Sequence, residues 1–476
     1  MKIALINPGP QRIPDKLGIG SGDPEIIRLS EINALALKEE RLRRIEKFSL
    51  DLEKEPKYRE YIISTGLLSI ASYVREKENA KVNYIQYDYF EKQGRKSKIL
   101  EDLKDFDVIG ITANTDNYYK ATKILRTIKR KNPNILTVIG GPHVTYQDIQ
   151  AVNDADVVVR GEGEETFRQV INAGNPRDLE EIKGITYKDN GRIKRNPPQK
   201  LLNINDLPTP AFDLIPNDIR DNCLVYLSTS RGCPYRCAYC VETNFWRGIR
   251  YRNPDKVVKD IEEYLKFVKT KELFFSDSTF NCNQRRLSTL LKYLEHFDLY
   301  YYANFRPELF TNDIINLLKK CRFIGLFIGL QSASNDVLTR VHRLPTLGNF
   351  EVFLKKIEKS VGIFPFSSLS FIFGLPSETI KTANETISTF SWFYDVGVFS
   401  ITTTVLVPYP GTPIFEFPEK YGVKILTKDY SKYCRYDLPV FDLDTLDHNQ
   451  IWKLYLKAFK TITKLNCSRV GLNLFS

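Results

Sequence analysis

The chain has 476 residues, 42% of them hydrophobic and 27% charged, with a formal net charge of +11. That length suits two or three domains with real cores, and the composition is that of a soluble globular protein. No apolar run approaches the ~20 residues that cross a bilayer, and the apolar part of Met1–Pro8 is too short for a signal peptide. Eight cysteines, three of them in the metal-binding spacing described below, point to a reducing compartment, so the cytoplasm is the expected location. The basic residues are interleaved with acids, as in Lys38–Arg59, which fits a solvated surface better than a nucleic-acid-binding tail.

Residues 1–183 alternate strand and helix signals, the pattern of an open parallel sheet. Strands are predicted at Lys2–Asn7, Val82–Tyr87, Phe106–Ile111, Ile135–Ile139 and Asp156–Val159. Helices are predicted from Thr65 through Val74 and over Asp116–Lys131. The polar segment Gly9–Arg59, helical around Ile26–Phe48, is expected to lie across the sheet edge as a lid. Ligands of such sheets sit beyond the carboxyl ends of the strands. Three loops fall there: Thr112-Ala-Asn114-Thr115, Gly140-Gly141-Pro142-His143-Val-Thr145 and Arg160-Gly161-Glu162-Gly163-Glu164. Glycine in such loops lets the backbone come close to a ligand and donate N–H groups to it. Residues 184–218 read as a linker, with a hairpin around Asp189-Asn-Gly191 and extended proline-rich backbone at Pro197-Pro198 and Leu207–Pro210.

From Leu224 the alternation resumes with six strand signals: Leu224–Thr229, Leu273–Ser276, Tyr300–Phe305, Ile324–Gly329, Leu369–Phe373 and Ile401–Val407. Immediately after the first comes Ser230-Arg-Gly-Cys-Pro-Tyr-Arg-Cys-Ala-Tyr-Cys240. Cys233, Cys237 and Cys240 stand in a C-x3-C-x2-C spacing that can hold one iron–sulfur cluster. A four-iron cluster wants one thiolate per iron, so this loop leaves one iron without a protein ligand. Zinc would want a fourth Cys or His at matching spacing, and Val241–Arg252 offers none. The other cysteines, Cys223, Cys282, Cys321, Cys434 and Cys467, lack cluster spacing and are expected to be apolar filling. Residues 414–476 form an extension with a helix expected at His448–Lys464.

The three-cysteine motif, with the aromatic Tyr239 before its last cysteine, resembles that of the radical S-adenosylmethionine (SAM) enzymes. The stretches Thr65-Gly66-Leu67-Leu68, Gly140–Thr145 and Arg160–Phe167 resemble the cobalamin-binding domain that precedes the radical domain in one large subfamily. That resemblance covers nearly all of residues 1–183. It implies an α/β architecture: an N-terminal open parallel-sheet, Rossmann-like cobalamin-binding domain (1–183), a linker (184–218), a partial (β/α)6 radical SAM barrel (219–413) and a short helical C-terminal extension (414–476). The extension often caps the substrate cavity in this architecture.

The resemblance also implies cofactors and sites. Cys233, Cys237 and Cys240 would hold a 4Fe-4S cluster whose open iron chelates SAM. Tyr239, Asp277, Asn304, Arg306, Gln331, Ser332, Gly374 and Glu378 would surround SAM. Gln331 stands where the family more often has glutamate, and Ser377 replaces a glycine in the Gly374–Glu378 loop. Thr65, Gly66, Leu67, Thr112, Asn114, Gly140, Gly141, Pro142, His143, Gly161, Glu162 and Gly163 would line the cobalamin site. The D-x-H-x-x-G segment that supplies a cobalt-ligating histidine in other cobalamin proteins is missing, and His143 is expected to contact the cofactor's nucleotide tail or cap its loop rather than replace that ligand.

The implied activity is methylation of an unactivated carbon through a 5′-deoxyadenosyl radical and methylcobalamin. The substrate would be a small molecule, lipid or peptide, and an external flavodoxin- or ferredoxin-type protein would donate electrons. Ring formation or rearrangement without methyl transfer is the alternative. A tRNA methylthiotransferase would need a second cysteine set near the N-terminus, whereas the first cysteine here is Cys223. A cobalamin or redox sensor without catalysis leaves the strand-end residues without a purpose.

Overall fold

The computed structural model describes residues 1–10, 21–53, 60–174, 176–343 and 350–472. The chain forms two compact units, one built from residues 1–11, 59–229 and 244–269, the other from 12–58, 230–243 and 270–476.

The first unit contains β1 (Lys2–Asn7), β2 (Tyr61–Ile63), β3 (Lys81–Gln86), β4 (Val108–Thr112), β5 (Leu136–Gly140), β6 (Val157–Val159), β7 (Ile185–Asp189), β8 (Arg192–Arg195) and β9 (Cys223–Leu227). Its sheet runs in the order β3-β1-β4-β5-β6-β7-β8, parallel from β3 to β6. Ile3–Ile6, Ile109, Ile139, Val157 and Val158 are all essentially inaccessible, the near-continuous apolar run of strands covered on both faces. β1 has β3 on one side and β4 on the other, so the strand order reverses there and opens a crevice beyond the carboxyl ends. The hairpin of β7 and β8 turns through Asn190 (φ 48°) and Gly191 (φ 79°), the left-handed pair of a type I′ turn. It extends the sheet, pairing antiparallel to β6. β2, too short to register as a sequence pattern, pairs in parallel with β9.

Two-residue strands, Ser230–Arg231 (β10) and Arg250–Tyr251 (β11), flank the cysteine loop in sequence. The second unit then carries β12 (Glu272–Phe275), β13 (Tyr300–Phe305), β14 (Phe323–Gln331), β15 (Ser368–Phe373) and β16 (Ser400–Val405), all parallel and adjacent in chain order. Aromatic rings fill the space between neighbouring strands. Phe274 stacks on Tyr302 at 4.3 Å, and Tyr302 lies near-parallel to Phe327 and Phe366. Gly325 makes room for that column, since a Cβ there would sit 1.9 Å from the Tyr302 ring.

The helix Pro24–Lys47 corrects one expectation. Asp23 caps it by accepting from the Glu25 and Ile26 N–H groups, with Pro24 in the first turn where a missing N–H costs nothing. It does not lie on the edge of the first sheet but packs in the second unit along the C-terminal helix His448–Val470. Ala36 meets Cys467 and Val470, Asn466 Nδ2 donates to Asn33 Oδ1 at 2.7 Å, and Arg469 pairs with Glu40 at 2.7 Å. Near its end, Ile45 joins Tyr302, Ile324 and Phe366. The buried Arg44 donates to the carbonyls of Pro365 (2.7 Å), Gly397 (3.1 Å) and Val398 (3.2 Å), which precede β15 and β16, and pairs with Glu40 at 2.7 Å. This helix therefore closes the amino-terminal end of the parallel strands. The flanking parts of the expected lid, 11–20 and 54–59, lie outside the described residues.

No helix among the described residues is long and apolar enough to cross a membrane. Arg44→Ala strips donors from three carbonyls and the cation from Glu40, and is expected to lower the stability of the second unit by about 3 kcal/mol. Denaturant unfolding of the variant against the parent checks this.

Candidate active site

In the first unit the three loops after β4, β5 and β6 are tied together by short polar links. The Ala113 N–H donates to Gly140 O at 2.8 Å, and the His143 N–H to Ala113 O at 3.2 Å. Thr145 Oγ1 donates to Gly141 O and accepts from the Gly161 N–H, each at 2.9 Å. Gly141 has φ 112°, and a Cβ there would lie 2.7 Å from Ala113 O, so only glycine fits. Gly66 and Gly161 differ: a Cβ at either would meet nothing within 4 Å, leaving bare backbone facing open space. Thr65 Oγ1 donates to Tyr226 O at 2.7 Å and Ser64 caps the following helix on Leu67. Gly163 packs its backbone against Ile70 of that helix.

Three polar residues of these loops are engaged with protein. Glu162 is clamped bidentately by Arg250, at 2.9 Å on both oxygens. Asn114 lends its backbone N–H to Asn117 Oδ1 at 2.8 Å. His143 is 1% exposed, shares a hydrogen bond with Thr115 Oγ1 at 3.1 Å and rests 4.4 Å from the Tyr118 ring. Burial holds the His143 pKa down to about 3, so the ring is neutral and works inside the loop.

In the second unit the cysteine loop is pinned at several points. Cys233 and Cys237 are 9% exposed and Cys240 is half-buried. The Cys240 N–H donates to Cys237 O at 3.0 Å, the Ala238 N–H to Val341 O at 2.9 Å, and Ala238 O accepts from the Ile414 N–H at 3.2 Å. Thr243 Oγ1 reaches the carbonyls of Cys233, at 3.2 Å, and Tyr235. Cys233 Sγ lies 3.5 Å from Thr279 Oγ1. Burial pushes the Cys240 thiol up to about 12.

The ends of β12 to β15 present the other sequence-predicted residues. Asp277 is 2% exposed and accepts from Ser230 Oγ, while Asn304 Nδ2 donates to Asp277 O at 3.0 Å. Gln331 ends β14 at φ 75°, just past a bulge in the pairing with β15. Its Oε1 is sheltered, with no donor in reach among the described residues. Ser332 is buried and its hydroxyl serves the local turn, accepting from the Ser334 N–H at 3.2 Å near Thr386. The Arg306 guanidinium stacks 3.6 Å over the Tyr235 ring. Gly374 (φ 83°) fits against Ile451 and Phe441 of the extension. Its N–H donates to Glu378 Oε2 at 2.6 Å.

A model of the B12 binding domain matches residues 57–171, and one of the radical SAM superfamily matches residues 227–390. An uncharacterized methyltransferase of Pyrococcus horikoshii is 31% identical over 408 residues, covering 83% of this chain and 86% of that one. The chain belongs to the radical SAM enzymes that carry a B12-binding domain. An anaerobic magnesium-protoporphyrin IX monomethyl ester cyclase of Rubrivivax gelatinosus is 28% identical over 366 residues, spanning 72% of this radical SAM enzyme and 63% of that longer protein. The fold of the radical SAM methyltransferase TsrM from Kitasatospora setae, solved with cobalamin and a 4Fe-4S cluster, aligns with a TM-score of 0.66 at 17% identity, covering 90% of this chain and 77% of that one.

The residues present fit the family's cofactors. Three free thiols on one loop, Cys233, Cys237 and Cys240, are a donor set that suits an iron–sulfur cluster, which takes one thiolate per iron. Gln331 Oε1 offers an acceptor that no donor among the described residues uses. The bare backbone at Gly66 and Gly161 suits the flat face of a corrin.

Several residues of this radical SAM enzyme escape sequence reading. Ser230, Thr279, Glu308, Arg343 and Thr445 have no motif of their own. Thr279 and Ser230 could have been suspected, since they sit beside Asp277 and Cys233 in sequence; Arg343 and Thr445 come to the site only through folding. Thr445 Oγ1 donates to Glu378 O, so the extension holds the Gly374–Glu378 loop.

Burial raises the Glu378 carboxyl from its ordinary 4.5 to about 8, partly offset by the Gly374 N–H. The folded state therefore keeps a proton that the unfolded state gives up. Its contribution to stability is full below about pH 4.5 and is lost as pH rises through about 8. Glu378→Gln should remove that component and flatten the decline, as measured by denaturant unfolding at several pH values between 5 and 9.

Proposed function

We propose that this radical SAM enzyme methylates an unactivated carbon of a small-molecule, lipid or peptide substrate. The observation that carries the reading is the pinned loop of three sheltered thiols beside strand ends that offer Asp277, Asn304 and the unsatisfied Gln331 Oε1. When bound, the reduced cluster supplies the electron that cleaves SAM, and cobalamin carries the methyl group.

In this reading the protein binds and orients, and no strong general base is needed. Cys233, Cys237 and Cys240 hold the cluster, and Tyr239, next to the last cysteine in sequence, contacts SAM. Asp277 accepts from the SAM amino group, Asn304 steadies Asp277 through its carbonyl, and Gln331 accepts from the ribose. Ser332 and Gly374 shape the backbone around SAM, and Glu378, held neutral by burial, keeps the Gly374 amide in place. Thr65, Gly66 and Leu67, together with Thr112, Asn114, Gly140–His143 and Gly161–Gly163, form the cobalamin rim. A flavodoxin- or ferredoxin-type protein delivers the electron in the cytoplasm.

Ring formation is the second reading, favoured by the similarity to the Rubrivivax cyclase. Methyl transfer consumes two SAM per turnover and adds a methyl group to the product, whereas ring formation adds none.

Anaerobic reconstitution with iron, sulfide and cobalamin, followed by SAM and a reductant, should yield 5′-deoxyadenosine. Cys237→Ala is expected to lose the cluster and all deoxyadenosine while retaining most cobalamin binding. Normal SAM cleavage by that variant would refute the assignment of the cluster loop.

A further inference from the structure

Behind the cysteine loop lies a buried charge group that neither the motif nor the proposed chemistry uses. Arg306 follows β13, and its backbone is clipped in place from both sides. Its N–H donates to Asn281 Oδ1 at 3.0 Å, and Asn281 Nδ2 donates to its carbonyl at 2.9 Å. The guanidinium covers the ring of Tyr235, the residue midway between Cys233 and Cys237. Its Nε donates to Glu308 and its Nη2 to Arg343 O at 2.7 Å.

Arg343 completes the group. It pairs with the same Glu308 oxygen at 3.2 Å, donates to Gly329 O, and lies over the Phe353 ring. The side chains of Arg306, Glu308 and Arg343 are 7%, 8% and 4% exposed. Val341, two residues before Arg343, receives the Ala238 N–H directly after Cys237. Two guanidinium groups thus face one carboxylate in a water-poor layer against the loop, and one positive charge is left over. Burial is the largest influence on Arg306 and would lower its pKa. The Glu308 carboxylate acts the other way, and the guanidinium stays above its ordinary value. Two acids also belong to this region: Glu242, which accepts from Ser278 Oγ at 2.6 Å, and the buried Asp277, which accepts from Ser230 Oγ.

We infer that the Arg306–Glu308–Arg343 group sets the reduction potential of the cluster held by Cys233, Cys237 and Cys240, its surplus positive charge making the cluster easier to reduce. This rests on the cluster assignment above. Reduction adds one electron from an external low-potential donor to the cluster, makes and breaks no bond, and leaves the cluster with its three thiolates one unit more negative. A fixed cation nearby favours that product, and burial spares it from screening by salt. Arg306 and Arg343 are positioning residues that act through the loop.

The test is an EPR-monitored redox titration of the reconstituted full-length protein without SAM, with iron and sulfide counted first. Glu308→Gln is the cleanest variant. It keeps an oxygen for both guanidinium groups, and its amide nitrogen can occupy the place of Glu308 Oε2, which has no donor among the described residues. It leaves two cations without a counter-charge, so the midpoint potential should move positive. Arg343→Gln should move it negative, and Arg306→Lys, which keeps the charge but loses the stack, should stay near the parent. Opposite displacements by Glu308→Gln and Arg343→Gln support the inference, because a purely structural disturbance has no reason to change sign with charge. Unchanged potentials at full iron content, or displacement of both in one direction, overturn it while leaving the cluster assignment standing. Should Arg343→Gln fail to assemble a cluster, Glu308→Gln decides alone: a positive shift supports, none overturns. A parent protein that binds no iron sinks the cluster assignment itself and this inference with it.

Discussion

A loop carrying three thiols and no fourth ligand has to be held by protein, because the metal supplies only part of its restraint. The pins come from far apart in the chain. Val341 and Ile414 grip the backbone at Ala238, Thr243 braces the carbonyls of Cys233 and Tyr235, and the Arg306 guanidinium lies flat on the Tyr235 ring. Each pin is a hydrogen bond to the loop's backbone or a stacked cation, interactions that fix orientation as well as distance. A cluster with one iron lacking a protein donor would need its other three donors firmly oriented.

Elsewhere the protein makes room by removing atoms. In the first unit, Gly66 and Gly161 leave backbone facing open space, whereas Gly141 and Gly163 pack loops too closely for a side chain. In the second unit, Gly325 admits the Tyr302 ring and Gly374 admits Ile451 and Phe441. The same residue type thus serves two ends, ligand approach and close packing, and only the surroundings tell them apart. The floor of the parallel strands is filled with stacked aromatic rings and closed by the helix Pro24–Lys47, so their open chemistry is confined to the carboxyl ends.

The C-terminal extension had no message about substrate in its sequence, but its placement has one about the loop after β15. Thr445 holds Glu378 O, and Ile451 and Phe441 pack on Gly374. Arg435 O accepts from the Val405 N–H at the end of β16. A segment that supports two strand ends in this way shapes whatever those ends enclose.

What the sequence determined by itself was local chemistry. Cluster spacing, strand runs such as Ile3–Ile6, the Asn190-Gly191 turn and the glycine loops each depend on neighbours within a few residues, so their physics is written in order along the chain. The tertiary structure decided which distant partners those residues meet. It sent the helix Pro24–Lys47 to the far end of the chain, where Asn33 finds Asn466 and Glu40 finds Arg469. It clamped Glu162 with Arg250 and buried His143 against Tyr118. It also set Arg343 behind a loop a hundred residues away. A side chain's charge and hydrogen-bonding capacity are known from its type, but its partner and its burial are properties of the fold, and these govern whether it binds a ligand, tunes one or holds the backbone.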